Sequence, residues 1–283
     1  MVDLKEKTIV ITGGNGAIGS IAVNVFLTLG ANVVSISRSG KIPALNQSVK
    51  KLNSNIVCIK ADVTDVQQVR SGIKSIIKQY KNIDILINAA GIQSPFGYFW
   101  ENDINLWKNN LQCNLFGTYL MIKECLPYFD PNTCSKILNL SGGGSTTARP
   151  RFSAYSASKA AVVRLTETIS LELKESGYNI TVNAIAPGSV YSRMTEEVLE
   201  NKVLVGDKEY KDAVQTKITG GTSESLLSEF FIFLADQKSN NITGRLISAL
   251  WDDWKKFPEA FVALDRQSLY TLRRIDDKNY FEK

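Results

Sequence analysis

The sequence predicts an α/β fold: a doubly wound, mainly parallel seven-stranded sheet with helices on both faces. Three observations lead there. Short runs of β-branched and apolar residues alternate with longer segments of helical period, as in repeated strand–helix units. Runs such as Ile83-Asp-Ile-Leu-Ile87 are nearly continuous in apolar character, which fits strands covered on two faces. The first strand leads into a glycine-rich turn that opens a helix.

Taken in order, the expected strands are Thr8–Thr12, Asn32–Ser37, Ile56–Lys60, Ile83–Asn88, Lys136–Leu140, Thr181–Ala186 and Leu246–Leu250. Each is a β-branched or aliphatic run bounded by polar or turn-forming residues. Helices are expected between them. Ser20–Leu29 ends at Gly30, which suits a helix C-cap. Thr64–Tyr80 opens on Thr64-Asp-Val-Gln67, a capping-box pattern. Asn105–Leu126 stops before Pro127, and Ala154–Ser176 stops at Gly177. Ser223–Ala235 precedes the last strand. No internal repeat or linker interrupts residues 1–250, which read as one domain. Residues 251–283 break the pattern. They begin Trp251-Asp-Asp-Trp254 and are too rich in aromatics for a simply disordered tail, so they are expected to pack on the domain or on a neighbouring subunit.

Composition excludes several classes of function. The 283 residues carry 33 Lys and Arg against 28 Asp and Glu, and the net charge of +5 is spread along the chain. No basic block marks a nucleic-acid or membrane surface, and no apolar run reaches transmembrane length. Histidine is absent, which rules out histidine-based triads and His-ligated metals. Cys58, Cys113, Cys125 and Cys134 show no metal-ligand spacing and read as buried free thiols. The start, Met1-Val-Asp-Leu-Lys-Glu-Lys7, is charged and lacks an apolar signal region. A cytoplasmic protein with reduced thiols is expected.

Two constellations carry chemistry. In Thr12-Gly-Gly-Asn-Gly-Ala-Ile-Gly19, glycines allow a tight turn and let phosphate approach the backbone, and the helix N-terminus offers unpaired N–H groups. Gly14, Gly16 and Gly19 satisfy the dinucleotide spacing. At the end of the second strand an acid would bind the ribose hydroxyls of NAD, whereas an arginine accepts the extra phosphate of NADP. Ser37-Arg38-Ser39 has no acid, so Arg38 points to NADP over NAD. The second constellation is Tyr155 and Lys159, which at i and i+4 share one helix face. An ammonium beside a phenol favours the phenolate, which fits a proton donor and acceptor working near neutral pH.

Together these pieces resemble the short-chain dehydrogenase/reductase family, a one-domain Rossmann-type fold, over roughly residues 5–250. The family's Thr-Gly-x-x-x-Gly-x-Gly motif is met by Thr12, Gly13, Ala17 and Gly19, with Ala17 in place of one glycine. Gly16 stands where many NADP-preferring members carry a basic residue. The resemblance implies cofactor contacts from Gly13, Asn15, Ile18 and Gly19 at the turn, and from Arg38 after the second strand. Asp62 and Val63 would hold the adenine end. Asn88 and Ala89 belong to Asn88-Ala-Ala-Gly91, similar to the family's Asn-Ala-Gly motif. Pro187, Gly188, Val190 and Ser192 would meet the nicotinamide end, with Ser192 at its carboxamide.

The resemblance also implies the catalytic roles. Tyr155 is the general acid in reduction and the base in oxidation. Lys159 lowers its pKa and binds the nicotinamide ribose. Asn114, in Asn114-Leu-Phe-Gly117, holds a water that links Lys159 to solvent. The family's serine lies thirteen residues before the tyrosine, and that position is Gly142. Either Ser141 serves, Ser145 or Thr146 bends back to serve, or no hydroxyl does; Ser141 is the candidate taken forward.

The reaction implied is hydride transfer between nicotinamide and a carbonyl or secondary alcohol. Arg149 and Arg151, before the catalytic helix, and Arg193 suggest an anionic substrate such as a sugar phosphate or related polyol. Solvated surface arginines are the alternative. Tyr98, Phe99 and Trp100 are either pocket-lining or apolar packing. Two other functions remain open: a catalytically silent dinucleotide-binding regulator, and an epimerase or dehydratase that retains its cofactor. The resemblance implies a homodimer or homotetramer paired through the helices carrying Asn114 and Tyr155, where Ala157, Ala160 and Ala161 permit close approach. No metal, nucleic acid or membrane partner is expected.

Overall fold

The computed structural model describes residues 2–50, 55–260 and 269–274. The chain runs β1 (Thr8–Thr12), α1 (Ala17–Thr28), β2 (Asn32–Ser37), α2 (Gln47–Lys50), β3 (Ile56–Lys60), α3 (Val66–Tyr80) and β4 (Ile85–Asn88). It continues through α4 (Ile104–Leu111), a π-helical segment (Gln112–Phe116), α5 (Gly117–Cys125), β5 (Ser135–Leu140), α6 (Ser153–Glu175) and β6 (Ile180–Ala186). α7 (Arg193–Glu200), α8 (Lys202–Val205), α9 (Asp207–Thr219), α10 (Glu224–Ala235) and β7 (Leu246–Ser248) complete it.

The seven strands form one sheet in the order β3-β2-β1-β4-β5-β6-β7, and every pairing is parallel. From β1 the chain winds outward through β2 and β3, then returns to place β4 on the other side of β1. In such open sheets, ligands lie beyond the strand C-termini at this reversal. The residues that end β1 and β4, Thr12 and Asn88, are paired in register there.

Alternation along β1 assigns its side chains to two cores. Ile9 and Ile11 face a layer built with Phe26 of α1 and Phe230 and Phe231 of α10. Val10 faces the opposite layer, with Ile73 of α3, Leu120 and Met121 of α5 and Val182 of β6. Each fully buried side chain of this size contributes about 1.5–3 kcal/mol of transfer free energy. Both faces of the sheet are therefore covered, as expected of nearly continuous apolar strands.

Four sequence expectations change. Helix α3 is capped by Asp65, whose carboxylate accepts from the N–H groups of Gln67 and Gln68 at 2.9 and 3.0 Å, and not by Thr64. Thr64 bonds Asp62 instead. The single helix expected over 105–126 is divided at Gln112–Phe116, where the ladder widens to a π turn. The last strand ends at Ser248 because the chain turns, with the Asp252 carboxylate accepting from Ser248 N–H. Helices α7 to α9 were not anticipated within the segment after β6.

The described part of the tail packs on the chain's own core. Trp254 is buried against Phe230 and Phe233, with ring centroids 5.2 and 5.0 Å apart, and its indole N–H donates to Ala249 O at 3.2 Å. Phe257 is buried beside Tyr270, whose carbonyl accepts from Leu246 N–H at 2.7 Å. The rest of the extension, 261–268 and 275–283, lies outside the described residues. Among the described residues, no helix is long and apolar enough to cross a membrane.

Candidate active site

The glycine turn is built by close packing. Gly13 has a φ of +66°, and a Cβ there would stand 2.7 Å from the Ala90 nitrogen. A Cβ on Gly19 would lie 2.2 Å from Gly13 O, so the start of α1 touches the turn backbone itself. Gly16 is the N-cap of α1 and brings no side chain, which leaves the first-turn N–H groups of Ala17, Ile18 and Gly19 open. Thr12 Oγ1 accepts from both Ala89 and Ala90 N–H at 3.1 Å and fixes the end of β4 to this turn. Asn15 donates to Lys41 O at 2.9 Å, drawing the loop after β2 toward the turn. Arg38 is exposed in that loop and makes no ion pair or side-chain hydrogen bond with a described residue. Lys41 joins Arg38 as a second cation there, one the sequence reading did not single out.

At the other end of the cleft, α6 carries the reactive pair. Tyr155 and Lys159 are 8% and 5% exposed. Lys159 Nζ donates to Leu140 O at 2.7 Å, at the C-terminus of β5, and lies 5.7 Å from the centre of the Tyr155 ring. Tyr155 Oη makes no hydrogen bond to any described residue. Burial pushes its phenol above the ordinary tyrosine value, and the Arg149 guanidinium opposes that shift. Burial pulls Lys159 down to about 8. Arg149 thus joins Lys159 as a second cation beside the phenol, one without a motif signal in the sequence.

Asn114 sits at the centre of the π segment and is completely buried. Its Oδ1 accepts from Ile92 N–H at 2.9 Å, and its Nδ2 lies 2.9 Å from Ile92 O, Asn110 Oδ1 and Ser158 Oγ. The side chain replaces the backbone partners that the loop after β4 lacks. It holds Gly91 against Lys159: a Cβ on Gly91 would be 3.0 Å from Asn114 Oδ1 and 3.7 Å from Lys159 Nζ. The wide turn gives Asn114 this reach, and Ser158, one residue before Lys159, ties it to α6. Ser158 and Asn110 carry no motif signal in the sequence.

The strand-end loop departs from the sequence expectation. A Cβ on Gly142 would fall 2.5 Å from Tyr155 Oη, so the phenol rests on bare backbone where the family keeps its serine. Ser141 Oγ is sealed from solvent and has no hydrogen-bond partner among the described residues. In this conformation it cannot reach a substrate oxygen, and the role assigned to Ser141 is not supported. Thr146 is exposed, and Ser145 is buried in the turn that its N–H closes onto Gly142 O.

The two arginines before α6 are engaged, which corrects the expectation of an open anion grip. Arg149 Nε and Nη2 donate to Glu209 Oε2 of α9 at 3.1 and 2.7 Å, and its guanidinium lies 3.8 Å over the Phe152 ring. With the Gln93 amide oriented so that its oxygen faces the guanidinium, Oε1 accepts from Nη1 and Nη2 at 2.7 and 3.0 Å. Arg151 donates to the carbonyls of Val203 and Leu204 and stacks on Tyr98. Arg193 pairs with Glu197 on the surface of α7. Tyr98 stacks on Trp100, and Phe99 and Trp100 are 69% and 66% exposed, so this trio forms an outer rim and neither lines the cleft nor fills a core. The segment α7–α9 closes over the site through Val198, Val205 and Ala213, which pack with Phe96, Phe152 and Tyr155.

Beyond Gly188, residues Val190 and Ser192 lead into this cover. Val190 pairs with Gly221, and Thr195 Oγ1 accepts from the N–H of Ser192, the N-cap of α7. Asp62, Val63 and Pro187 also lie after strand C-termini, on the same side of the sheet as the glycine turn.

A parallel sheet with a glycine turn at its reversal and a Tyr-x-x-x-Lys helix beside it defines an NAD(P)-dependent dehydrogenase or reductase. Residues 7–203 match the short chain dehydrogenase family, and the chain belongs to that family. An uncharacterized oxidoreductase of Staphylococcus epidermidis is 30% identical over 196 residues, 69% of this chain and 83% of that protein. The ligand-free aldohexose dehydrogenase of Thermoplasma acidophilum is 25% identical with a TM-score of 0.73, over 86% of this chain and 92% of that one. ElxO with NADP bound is 27% identical with a TM-score of 0.69, over 86% of this chain and 96% of that one.

Proposed function

We propose that the protein is an NADP-dependent oxidoreductase that interconverts a carbonyl compound and a secondary alcohol, with Tyr155 as the proton donor and acceptor. The observation that carries the reading is the Tyr155 hydroxyl, free of hydrogen bonds to the described residues and held next to Lys159 at the C-terminal edge of the sheet. The residues fit the dinucleotide. Bare glycine backbone and open N–H groups of α1 suit the pyrophosphate, and Arg38, exposed and without an ion pair among the described residues, suits a 2′-phosphate. The similarity to ElxO, solved with NADP, supports the same choice.

The nicotinamide, when bound, supplies the hydride in reduction and takes it in oxidation. In reduction, Tyr155 would pass its proton to the substrate oxygen as negative charge develops there. Lys159 stabilises the phenolate left behind. It is half protonated near pH 8, so the ammonium predominates at neutral pH. Asn114 keeps the loop after β4 and Gly91 against Lys159 and so fixes the floor on which the pair works. With Arg149 compensated by Glu209 and Arg151 committed to carbonyls, a neutral carbonyl or polyol fits the site better than a phosphate ester. The similarity to an aldohexose dehydrogenase supports including sugars in the screen.

The test is to titrate NADPH and NADH by fluorescence, then follow NADPH absorbance with diacetyl, cyclohexanone and benzaldehyde, and NADP reduction with glucose and ribitol. Tyr155→Phe should lower kcat by about a thousandfold with NADPH affinity retained. Undiminished turnover by this variant would sink the assignment, and binding without turnover of any carbonyl or alcohol would favour a silent regulator.

A further inference from the structure

We propose that Arg149 is a catalytic residue, its guanidinium donating to the reacting substrate oxygen the hydrogen bond that the family draws from a serine hydroxyl. The inference rests on the carbonyl–alcohol reading above. The family's serine position is Gly142, and its Cα faces the phenol so closely that a Cβ would stand 2.5 Å from Tyr155 Oη. The hydroxyl next in sequence, Ser141 Oγ, is sealed inside. An oxygen that gains charge as hydride arrives still needs a donor other than the proton source.

Arg149 is placed for it. Its Cζ lies 5.8 Å from the centre of the Tyr155 ring and 3.8 Å from that of Phe152, on which it is stacked. Glu209 takes one N–H from Nε and one from Nη2, and Gln93 takes one from each terminal nitrogen. Of the five guanidinium donors one is left over, and it is on Nη1. That nitrogen is also the one facing the strand-end loop, 3.9 Å from where a Cβ on Gly143 would stand, one residue beyond the glycine that touches the phenol. The side chain is 19% exposed and its partner Glu209 16%, so the group keeps some accessible surface yet is largely desolvated. The ion pair cancels its net charge, which directs the spare N–H to a polarised neutral oxygen. A guanidinium does not give up its proton in proteins, so it polarises the carbonyl without competing with Tyr155 as the acid.

The test uses the full chain with NADPH and the carbonyl panel above, comparing wild type with Arg149→Ala, Arg149→Lys, Glu209→Gln and Tyr155→Phe. Arg149→Ala should lower kcat by about a hundredfold or more, the loss seen when one oxyanion donor is removed. Its NADPH affinity should stay within about threefold, and millimolar guanidinium chloride should restore at least about tenfold of the lost rate. The acidic limb of the alcohol-oxidation pH profile, where Tyr155 must lose its proton to act as base, should move upward in Arg149→Ala, since the cation favouring the phenolate is gone, and stay in place in Arg149→Lys. Arg149→Lys, which keeps the charge but not the planar fork, should fold and still lose at least about tenfold in kcat. Glu209→Gln keeps the guanidinium and should lose less than about tenfold.

Arg149→Ala turning over within about threefold of wild type would overturn the proposal. So would equal losses in Arg149→Ala and Glu209→Gln with no response to guanidinium, which would make Arg149 a strut for the helices over the site. If Arg149→Ala does not fold, an Arg149→Lys variant with wild-type kcat overturns it in the same way. An active wild type with these outcomes refutes the role of Arg149 alone, whereas a wild type inert across the panel refutes the reading of the site as well.

Discussion

A methyl group on Gly142 would meet Tyr155 Oη at 2.5 Å, well inside van der Waals contact, so one of the two must move. The strand-end backbone is fixed by Ser141 N–H donating to Ile185 O at 2.8 Å, and the ring is the easier part to displace. Displacing a reacting atom by about 1 Å costs up to about a hundredfold in rate. Gly142→Ala is therefore expected to keep its fold and NADPH affinity while kcat falls by at least about tenfold. Steady-state kinetics beside a thermal melt check this, and an unchanged kcat would show that the phenol need not sit where it does. The same site shows what single residues disclose in sequence. Tyr155, Lys159 and Asn114 were legible because helical spacing and motif order are local properties. That Gly142 breaks the serine pattern was also legible, but its close approach to the phenol was not. Gln93 and Glu209 left no trace, because they reach Arg149 across 56 and 60 residues of chain and only folding brings them together.

Elements were legible in proportion to how much of each is buried. Most strands were read to within a residue, since β1 and β5 are buried along their whole length and rich in aliphatic residues, whereas β4 starts two residues later and β7 ends two residues earlier than expected. Helices α7 to α9 escaped because they cover the site as a thin layer: in α9 only Ala213 is buried, too few inward residues to set a period. The π turn escaped because Gln112–Phe116 is as helix-compatible as its flanks, and the widening is driven by the hydrogen bonds of Asn114 to a distant loop. The end of β2 carries its own prediction. Arg38 stands exposed and without an ion pair among the described residues, in the loop that Asn15 holds toward the glycine turn through Lys41 O. Arg38→Ala should weaken NADPH binding by about tenfold or more, the loss of one charge-assisted phosphate contact, and leave NADH binding unchanged. Equal effects on both dinucleotides in a fluorescence titration would remove Arg38 from cofactor choice.

At the scale of the molecule, stability should depend on pH through amines that the fold buries. Lys136, on β5 at the edge away from the site, is 4% exposed and donates at 2.8 Å to both Ser239 Oγ and Asn240 Oδ1. Among the described residues no carboxylate forms an ion pair with it, and burial, opposed by the more distant charges of Cys134 and Asp236, pulls it from 10.5 to about 8. Between those values the unfolded chain holds a proton that the folded chain has released, so stability rises with pH across that window. Below about 8 both states are protonated and the folded state bears the whole cost, ~3 kcal/mol for the displacement from 10.5 to about 8. Lys159 acts in the same direction, and the thiols pushed up by burial, Cys125 most of all, act in the opposite one above 9. Comparing wild type with Lys136→Met cancels those contributions. Methionine leaves Ser239 and Asn240 without their donor, so the offset between the two proteins takes either sign, but its change with pH belongs to Lys136 and to the Cys134 thiol coupled to it. Urea unfolding should show wild type gaining about 2 kcal/mol on Lys136→Met between pH of about 7 and about 9.5. A difference that stays flat over that range would mean that Lys136 keeps its proton in the folded protein, and that its two neutral partners together with nearby water solvate the ammonium as well as bulk solvent does.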